Sequence, residues 1–457
     1  MSATFGAKRA LARAAGALSR RSGRGGGTTL PGRLLLRLAP DAISRLGGGL
    51  AEGSTIISAT NGKTTTAAML ASALRAVGRV PVHNRAGSNM TWGVATALLT
   101  QSGDEGLFEV DEAWLPRVAG ELHPRLIVLG NLFRDQLDRY GELEHIADEW
   151  QAAVASHAGA SGFVLNADDP LVADLGRDRD LEPRPGVTYF GIDDRSQALP
   201  ELQHAFDAKH CRRCGAPYVY ERAFVGHLGH YRCESCGAAR PAPDVAARAI
   251  ELRGMRGSRV DITTPAGEAR IDLPLPGVYN VYNAVAALAA ALRLGVPLER
   301  AIAGLEATEA VFGRVETIPV GDARLSILLI KNPAGANEVL RTLQLEAGGG
   351  LELWIALNDR IADGRDVSWI WDADFELLAG RTRRVVCAGT RAPEIALRLK
   401  YAGLDGDLIE VSEPIAGSLD RILDGARGRV FALPTYTALL ELRTLLARRG
   451  LARDYWA

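Results

Sequence analysis

Lysine is scarce in this chain. Of 457 residues only Lys8, Lys63, Lys209, Lys331 and Lys400 are lysines, and arginine fills the other basic positions. A lysine inside a motif is therefore worth more than usual. No histidine follows His230, so any chemistry needing an imidazole base is excluded from the C-terminal part. Acidic residues are missing from the first forty positions, which carry eight basic ones. Long apolar runs are missing too. Ala284 to Leu292 is among the longest, far short of the ~20 residues that span a bilayer. The net charge is only −1, which gives no field to draw the chain to nucleic acid. Cysteines number five, and no secretory signal accompanies them, which argues against a disulfide framework.

What is present reads as a folded chain of two or three domains, 47% hydrophobic and balanced in charge. Residues 1–45 read as a basic lead-in with an amphipathic helix: a frayed start, then one helix near Leu34 to Leu46. It could also be read as a transit peptide or a membrane-surface arm. From Thr55 to about Ala310, short apolar strands such as Leu126–Leu129 and Gly162–Leu165 alternate with helical stretches. That pattern predicts a parallel α/β sheet covered on both faces. A segment of about 205–240 interrupts it. A second α/β pattern follows a boundary near 312–320, with strands expected at Leu325–Ile330, Leu351–Ala356, Arg384–Ala388 and Val430–Leu433.

The most informative stretch is Ser58-Ala59-Thr60-Asn61-Gly62-Lys63-Thr64-Thr65-Thr66. A β-branched strand precedes it and an alanine-rich helix follows. Strand, Gly-Lys-Thr turn and helix N-terminus together bind a nucleotide triphosphate. Helix amides face the phosphates, Lys63 reaches the β- and γ-phosphates and the Thr64 hydroxyl holds Mg²⁺. Ile57 stands where the usual P-loop has its first glycine. Phe108-Glu109-Val110-Asp111-Glu112 gathers three carboxylates, and an ATP–Mg²⁺ site needs at least one.

Cys211-Arg-Arg-Cys214-Gly215 and Cys233-Glu-Ser-Cys236-Gly237 are two Cys-x-x-Cys-Gly knuckles. Four thiolates at this spacing close a tetrahedral Zn²⁺ shell with no open position for water, so a structural zinc ribbon is expected. Cys387, in an apolar strand, reads as a buried inert thiol.

The Ala-Thr-Asn-Gly-Lys-Thr-Thr loop resembles that of the Mur ligase and folylpolyglutamate synthetase superfamily, with Ala59 where most members have glycine. Asn131 through Asp138 resembles the superfamily's Asn-x-x-x-Asp-His-Leu-Asp segment, with Gln136 in the histidine position. Asn166-Ala-Asp168-Asp-Pro and Gly277-Val-Tyr-Asn280-Val-Tyr-Asn283 resemble its nucleotide-side elements. Thr60, Asn61, Gly62, Lys63, Thr64, Thr65, Asn166, Asp168, Asn280 and Asn283 are thereby the implied ATP contacts. Thr64, Glu109 and Glu112 are the implied Mg²⁺ ligands.

Further motifs narrow the resemblance. Ile330-Lys331-Asn332-Pro333, Asp363-Gly-Arg-Asp366-Val-Ser-Trp-Ile-Trp-Asp372 and Leu433-Pro-Thr-Tyr-Thr look like the MurT family. So do Gln136 and the four-cysteine insertion. The resemblance spans essentially the whole chain. It implies a Mur-type central ATPase domain at 46–312 carrying the zinc ribbon, then a Rossmann-like domain at 313–457. It implies cytoplasmic, ATP-dependent amidation of the D-glutamate α-carboxylate in the lipid II stem peptide, at the inner membrane face. It also implies a heterodimer with a GatD-like glutaminase that supplies ammonia. The four-cysteine ribbon and the histidine-free C-terminal part leave no local Cys–His pair for that hydrolysis. In this family an aspartate completes the partner's Cys–His pair, with Asp363 and Asp366 as candidates and Asp372 behind them. An amino-acid-adding ligase of the same superfamily and a zinc-ribbon regulatory ATPase are the alternatives. Gln136, and the lack of any lysine between it and Ala208, count against the first.

Overall fold

The computed structural model describes residues 3–21, 29–84, 88–135, 143–203, 206–308, 314–346 and 350–452. The first eleven strands are β1 Ser54–Ser58, β2 Val82–His83, β3 Gly106–Glu109, β4 Leu126–Leu129, β5 Gly162–Asn166, β6 Val187–Ile192, β7 Val219–Val225, β8 Leu228–Arg232, β9 Val245–Leu252, β10 Ser258–Thr264 and β11 Gly267–Leu273. Nine of them form one sheet in the order β11-β10-β9-β6-β5-β4-β1-β3-β2. From β2 to β9 the neighbours run parallel. Buried on both faces, β1 and β4 are apolar or small throughout. β9, β10 and β11 then form an antiparallel meander, which the expectation of a wholly parallel sheet did not contain. Its alternating burial, clearest in β10, marks strands wetted on one face.

β1 lies between β3 and β4, pairing Thr55 with Leu107 on one side and with Leu126 on the other. The chain leaves β1 toward β3 and later returns to its other side. Loops after these strands therefore diverge and leave a crevice at their carboxyl ends, where open α/β sheets hold ligands.

Six more strands build the second sheet: β12 Arg314–Val320, β13 Ala323–Leu328, β14 Leu351–Ala356, β15 Thr382–Ala388, β16 Ile409–Val411 and β17 Gly428–Pro434. Their order is β12-β13-β17-β14-β15-β16, parallel except for the β12–β13 hairpin. All four strands expected from sequence are present here. The edge strands β12 and β16 were not expected. β7 and β8 form a separate hairpin within the interrupting segment. Residues 309–313, at the expected boundary, lie outside the described residues.

The N-terminal region differs from its expectation. Ala3–Arg21 is a helix rather than a frayed lead-in. Phe5 and Ala12 are buried, and Lys8 Nζ donates to Leu38 O at 2.6 Å. The single helix expected near 34–46 is two, Leu30–Leu38 and Ala42–Gly47. Pro40 separates them, because the residue before a proline is driven out of helical geometry.

Candidate functional site

β1 ends in the loop 59–62, and the helix Lys63–Arg75 begins at once. Gly62 caps that helix at φ +91°. A Cβ there would stand 2.0 Å from Asn283 Oδ1, so backbone freedom and space both require glycine. The loop is pinned from β4's side. Asn61 N–H donates to Asn131 Oδ1 at 2.9 Å, and Asn131 Nδ2 donates back to Asn61 O at 3.0 Å. Thr60 turns inward, its hydroxyl accepting from Phe133 N–H at 3.0 Å. Thr65 is buried beside Asn61 and Gly62 on the wall of a cleft.

β3 delivers the acids. Lys63 Nζ donates to Ala59 O and to Glu112 Oε2, the latter at 2.6 Å. Thr64 Oγ1 donates to Glu109 Oε1 at 3.0 Å. Asn84 holds Glu109 by both backbone groups, at 2.9 and 2.7 Å. Burial alone would lower the Lys63 pKa, but Glu112, Asp111 and Glu109 outweigh it and hold the ammonium above its ordinary value. Burial would raise Glu112, yet Lys63 and Lys331 hold its carboxyl below the usual range. Lys63 and Glu112 are thus a charged pair in which the lysine is held ready. Thr64 and Glu109 offer adjacent oxygens, the ligand type that Mg²⁺ takes.

The second sheet closes the crevice from above. Lys331 Nζ donates to Thr60 O at 3.0 Å and to Asp135 Oδ2 at 2.6 Å. Asn332 and Asn61 exchange amide hydrogen bonds at 3.1 and 3.2 Å. Asn332 also caps the helix Pro333–Gln344, accepting from Gly335 N–H. Lys331 stood out in the sequence. Asn131, Asp135 and Asn332 lay within motifs singled out in the sequence, but their pairing with Asn61 and Lys331 had no local signal, since each contact crosses loops distant in the chain.

Asn280 and Asn283 sit one helical turn apart on the helix Val278–Arg293. Asn283 Nδ2 donates to Asn280 Oδ1 at 3.0 Å, and its Oδ1 accepts from Thr66. The pair therefore reaches the turn and helix start that follow β1. Asn166 lines a small cavity with Asn131, Thr66 and Asn283, and its Nδ2 is buried without a partner. Asp168 is fully buried. It accepts from Arg240 Nε, from Tyr282 OH at 2.7 Å and from Ile192 N–H at 2.8 Å. Its oxygens are thus committed to fastening β5, β6 and the helix together. Gln136 lies outside the described residues.

The four knuckle cysteines bring their sulfurs within 4.8 Å of one another. The two turns match. Cys211 N–H donates to Ala216 O and Cys233 N–H to Ala238 O, while Gly215 and Gly237 adopt φ +75° and +77°. The Ala216 amide brings the Cys214 thiol down to about 7. A closed set of four thiol donors suits zinc. The β7–β8 hairpin rises from these knuckles, and its Val225 and Leu228 wall the cleft that Asn61, Thr65 and Lys331 also line.

Asp363 is 7% exposed and receives both the N–H of Thr437, at 2.8 Å, and its hydroxyl. Burial raises its pKa against those bonds. Asp366 is exposed, one oxygen accepting from Ser368 N–H at 2.8 Å. Both aspartates line a groove with Asp372, Arg134 and Lys331. Cys387 is fully buried, which pushes its thiol up to about 12.

Residues 57–214 match the Mur ligase middle domain and residues 329–439 the MurT ligase C-terminal domain. A lipid II isoglutaminyl synthase (glutamine-hydrolyzing) subunit MurT of Streptococcus pneumoniae is 34% identical, over 94% of this chain and 94% of that one. Its Staphylococcus aureus counterpart is 32% identical over 92% and 93%. Among solved structures, a pseudomurein peptide ligase type C from Methanothermus fervidus superposes with TM-score 0.67 at 24% identity, covering 89% of this chain and 80% of its own. The MurF ligase from Thermotoga maritima in complex with ADP gives 0.62 at 14%, covering 92% and 85%. These two share the α/β fold. With both family models matched and near-full-length relatives above 30% identity, the chain belongs to the MurT family of Mur ligases.

Proposed function

We propose that this chain amidates the α-carboxylate of D-glutamate in the lipid II stem peptide, using ATP and ammonia from a glutaminase partner. The observation that carries the reading is the Lys63–Glu112 and Thr64–Glu109 cluster at the crevice beside β1, covered by Lys331. A carboxylate has no leaving group at neutral pH. Its oxygen attacks the γ-phosphorus and ADP departs. The ammonia lone pair then attacks the acyl carbon, phosphate leaves, and the surplus proton passes to solvent.

Lys63 exchanges Glu112 for the phosphates, and Lys331 adds a second positive charge over the same loop. Thr64 and Glu109, with Glu112, would hold Mg²⁺, which would neutralise phosphate charge. The amides after Gly62 and the Asn280–Asn283 pair fix the nucleotide side, with Asn166 and Asp168 behind them. Catalysis here is positioning and charge stabilisation. Zinc on Cys211, Cys214, Cys233 and Cys236 would hold the hairpin that walls the cleft. We assign ATP chemistry to 46–312 and the partner-facing role to 313–457.

The partner reading is supported by the C-terminal surface. Trp371, Leu397 and Tyr401 are 48%, 49% and 72% exposed, near Asp366 and Asp372. An orienting carboxylate for another subunit's histidine must be reachable from outside. Asp366 meets that need, while Asp363 is already bound to Thr437. The groove that holds Asp366 also holds Lys331, which donates to Thr60 O in the loop after β1. No described helix is long and apolar enough to cross a membrane, and we place the reaction at the cytoplasmic face through its lipid-linked substrate. Mass spectrometry of muropeptides, after incubation with ATP and ammonium, tests the reading. An unchanged peptide, or one lengthened by an amino acid, would overturn it.

A further inference from the structure

The helix Ala3–Arg21 is buried on one side only. Phe5, Ala12 and Gly16 face inward. On the opposite side Ala7, Ala10, Leu11, Ala14 and Leu18 are exposed. At 3.6 residues per turn these five fall in a stripe roughly 100° wide. Leu11 is 56% and Leu18 71% exposed. A helix packed on a globular surface ordinarily turns such a stripe inward and shows water its polar side. Here the apolar stripe faces out. It is also held in place, since Lys8 Nζ donates to Leu38 O at 2.6 Å and Arg13 Nε to Leu99 O at 2.8 Å.

The charge of this N-terminal segment has one sign. The first forty residues hold eight basic side chains and no acid, and Arg13, Arg33 and Arg37 are exposed. The next acid, Asp41, is paired with Arg45 at 2.6 Å.

We propose that this face docks on the surface of an anionic lipid bilayer. Leu11 and Leu18 enter the boundary between headgroups and acyl chains, and the arginines lie over the headgroups. Charge selects this occupant. A second copy of the chain would bring the same basic segment against its like, whereas an anionic bilayer is complementary to it. Two leucines and three alanines supply little apolar area, so the docking is weak, reversible and sensitive to salt. It would hold the chain beside a lipid-linked substrate of the kind proposed above. Vesicle binding is read without that substrate, so the two readings fail separately.

The test is flotation of the full chain with vesicles of equal parts phosphatidylglycerol and phosphatidylcholine, and with phosphatidylcholine alone. The expected result is binding to the mixed vesicles, roughly tenfold weaker binding to the neutral ones, and release by high salt. Leu11→Glu/Leu18→Glu should weaken binding by roughly tenfold or more with the thermal midpoint unchanged, because both side chains are exposed. Wild-type chain that fails to float with the mixed vesicles overturns the proposal, and so does a double variant that floats equally well. A dimer, seen by light scattering, that the double variant dissolves while vesicle binding persists would make the stripe a self-association face and overturn it too.

Discussion

Removing the Glu112 carboxylate should loosen the phosphate loop as well as slow the chemistry. Lys63 and Glu112 meet at 2.6 Å with side chains 8% and 14% exposed. Breaking one half of a buried pair costs about 3–5 kcal/mol, because the other charge is stranded. Glu112→Gln leaves Lys63 with Asp111 and Glu109 nearby, so its loss should be smaller, about 2 kcal/mol. Lys63→Met strands Glu112 with Lys331 as its remaining named cation, and should cost about 3 kcal/mol. The double variant strands neither charge and should lose no more than Lys63→Met alone, about 3 kcal/mol against an additive loss of about 5, a coupling of about 2 kcal/mol. Scanning calorimetry reads this as a fall of roughly 4–8 °C for Glu112→Gln in a domain of this size. The pH dependence has a definite sign. Glu112 is depressed in the fold, so its contribution is present above its ordinary value of 4.5 and is lost as pH falls through the lower folded value. Lys63 is raised, so its contribution is complete below 10.5 and is lost only as pH climbs through the higher folded value. The gap between wild type and Glu112→Gln should therefore narrow in acid and stay constant around neutrality. Single variants within about half a kcal/mol of wild type, or strictly additive losses, would refute the closed pair.

Gly62→Ala should cost about 1–2 kcal/mol for the left-handed backbone alone. It should also abolish nucleotide binding by calorimetry, since the new methyl displaces Asn283; unchanged ATP affinity would refute the loop assignment. The purified chain should carry about one Zn²⁺ per molecule, and Cys211→Ser/Cys214→Ser should lose hydrogen-exchange protection first in β7 and β8. Absence of zinc from protein prepared without chelator would refute this. The isolated chain should use ammonium but not glutamine, measured by product mass. With the glutaminase present, Asp366→Asn should impair glutamine-dependent amidation more than ammonium-dependent amidation, and equal losses would return Asp366 to the synthetase site. Asp363→Asn should lower stability by about 1 kcal/mol through its Thr437 bonds and reduce both activities alike.

The strand–turn–helix at 54–75 was legible because its parts are consecutive: a strand, a Gly-Lys-Thr turn and a helix need no distant contact to be read. The paired knuckles were legible for the same reason. Glu109 and Glu112 were legible only through resemblance, because their approach to Thr64 and Lys63 comes from the pairing of β1 with β3. The docking of the second sheet left no local trace. Nothing near Asn61 marks Asn332, and nothing near Asp135 marks Lys331. Asp168 shows the opposite case. Asn-x-Asp-Asp-Pro looks like an open polar turn, yet Arg240, from beyond the knuckles, and Tyr282 converge on it. The N-terminal helix was hidden by its own composition. Alanine and arginine favour helix without marking a buried face, and among its described side chains Phe5 is the lone large one buried. Its exposed leucines then confuse the periodicity, since apolar positions occur on both sides. A sequence pattern reports a buried face only when the other face is polar. Where a helix is apolar on its outer side as well, the missing contrast points to a second surface waiting to be covered.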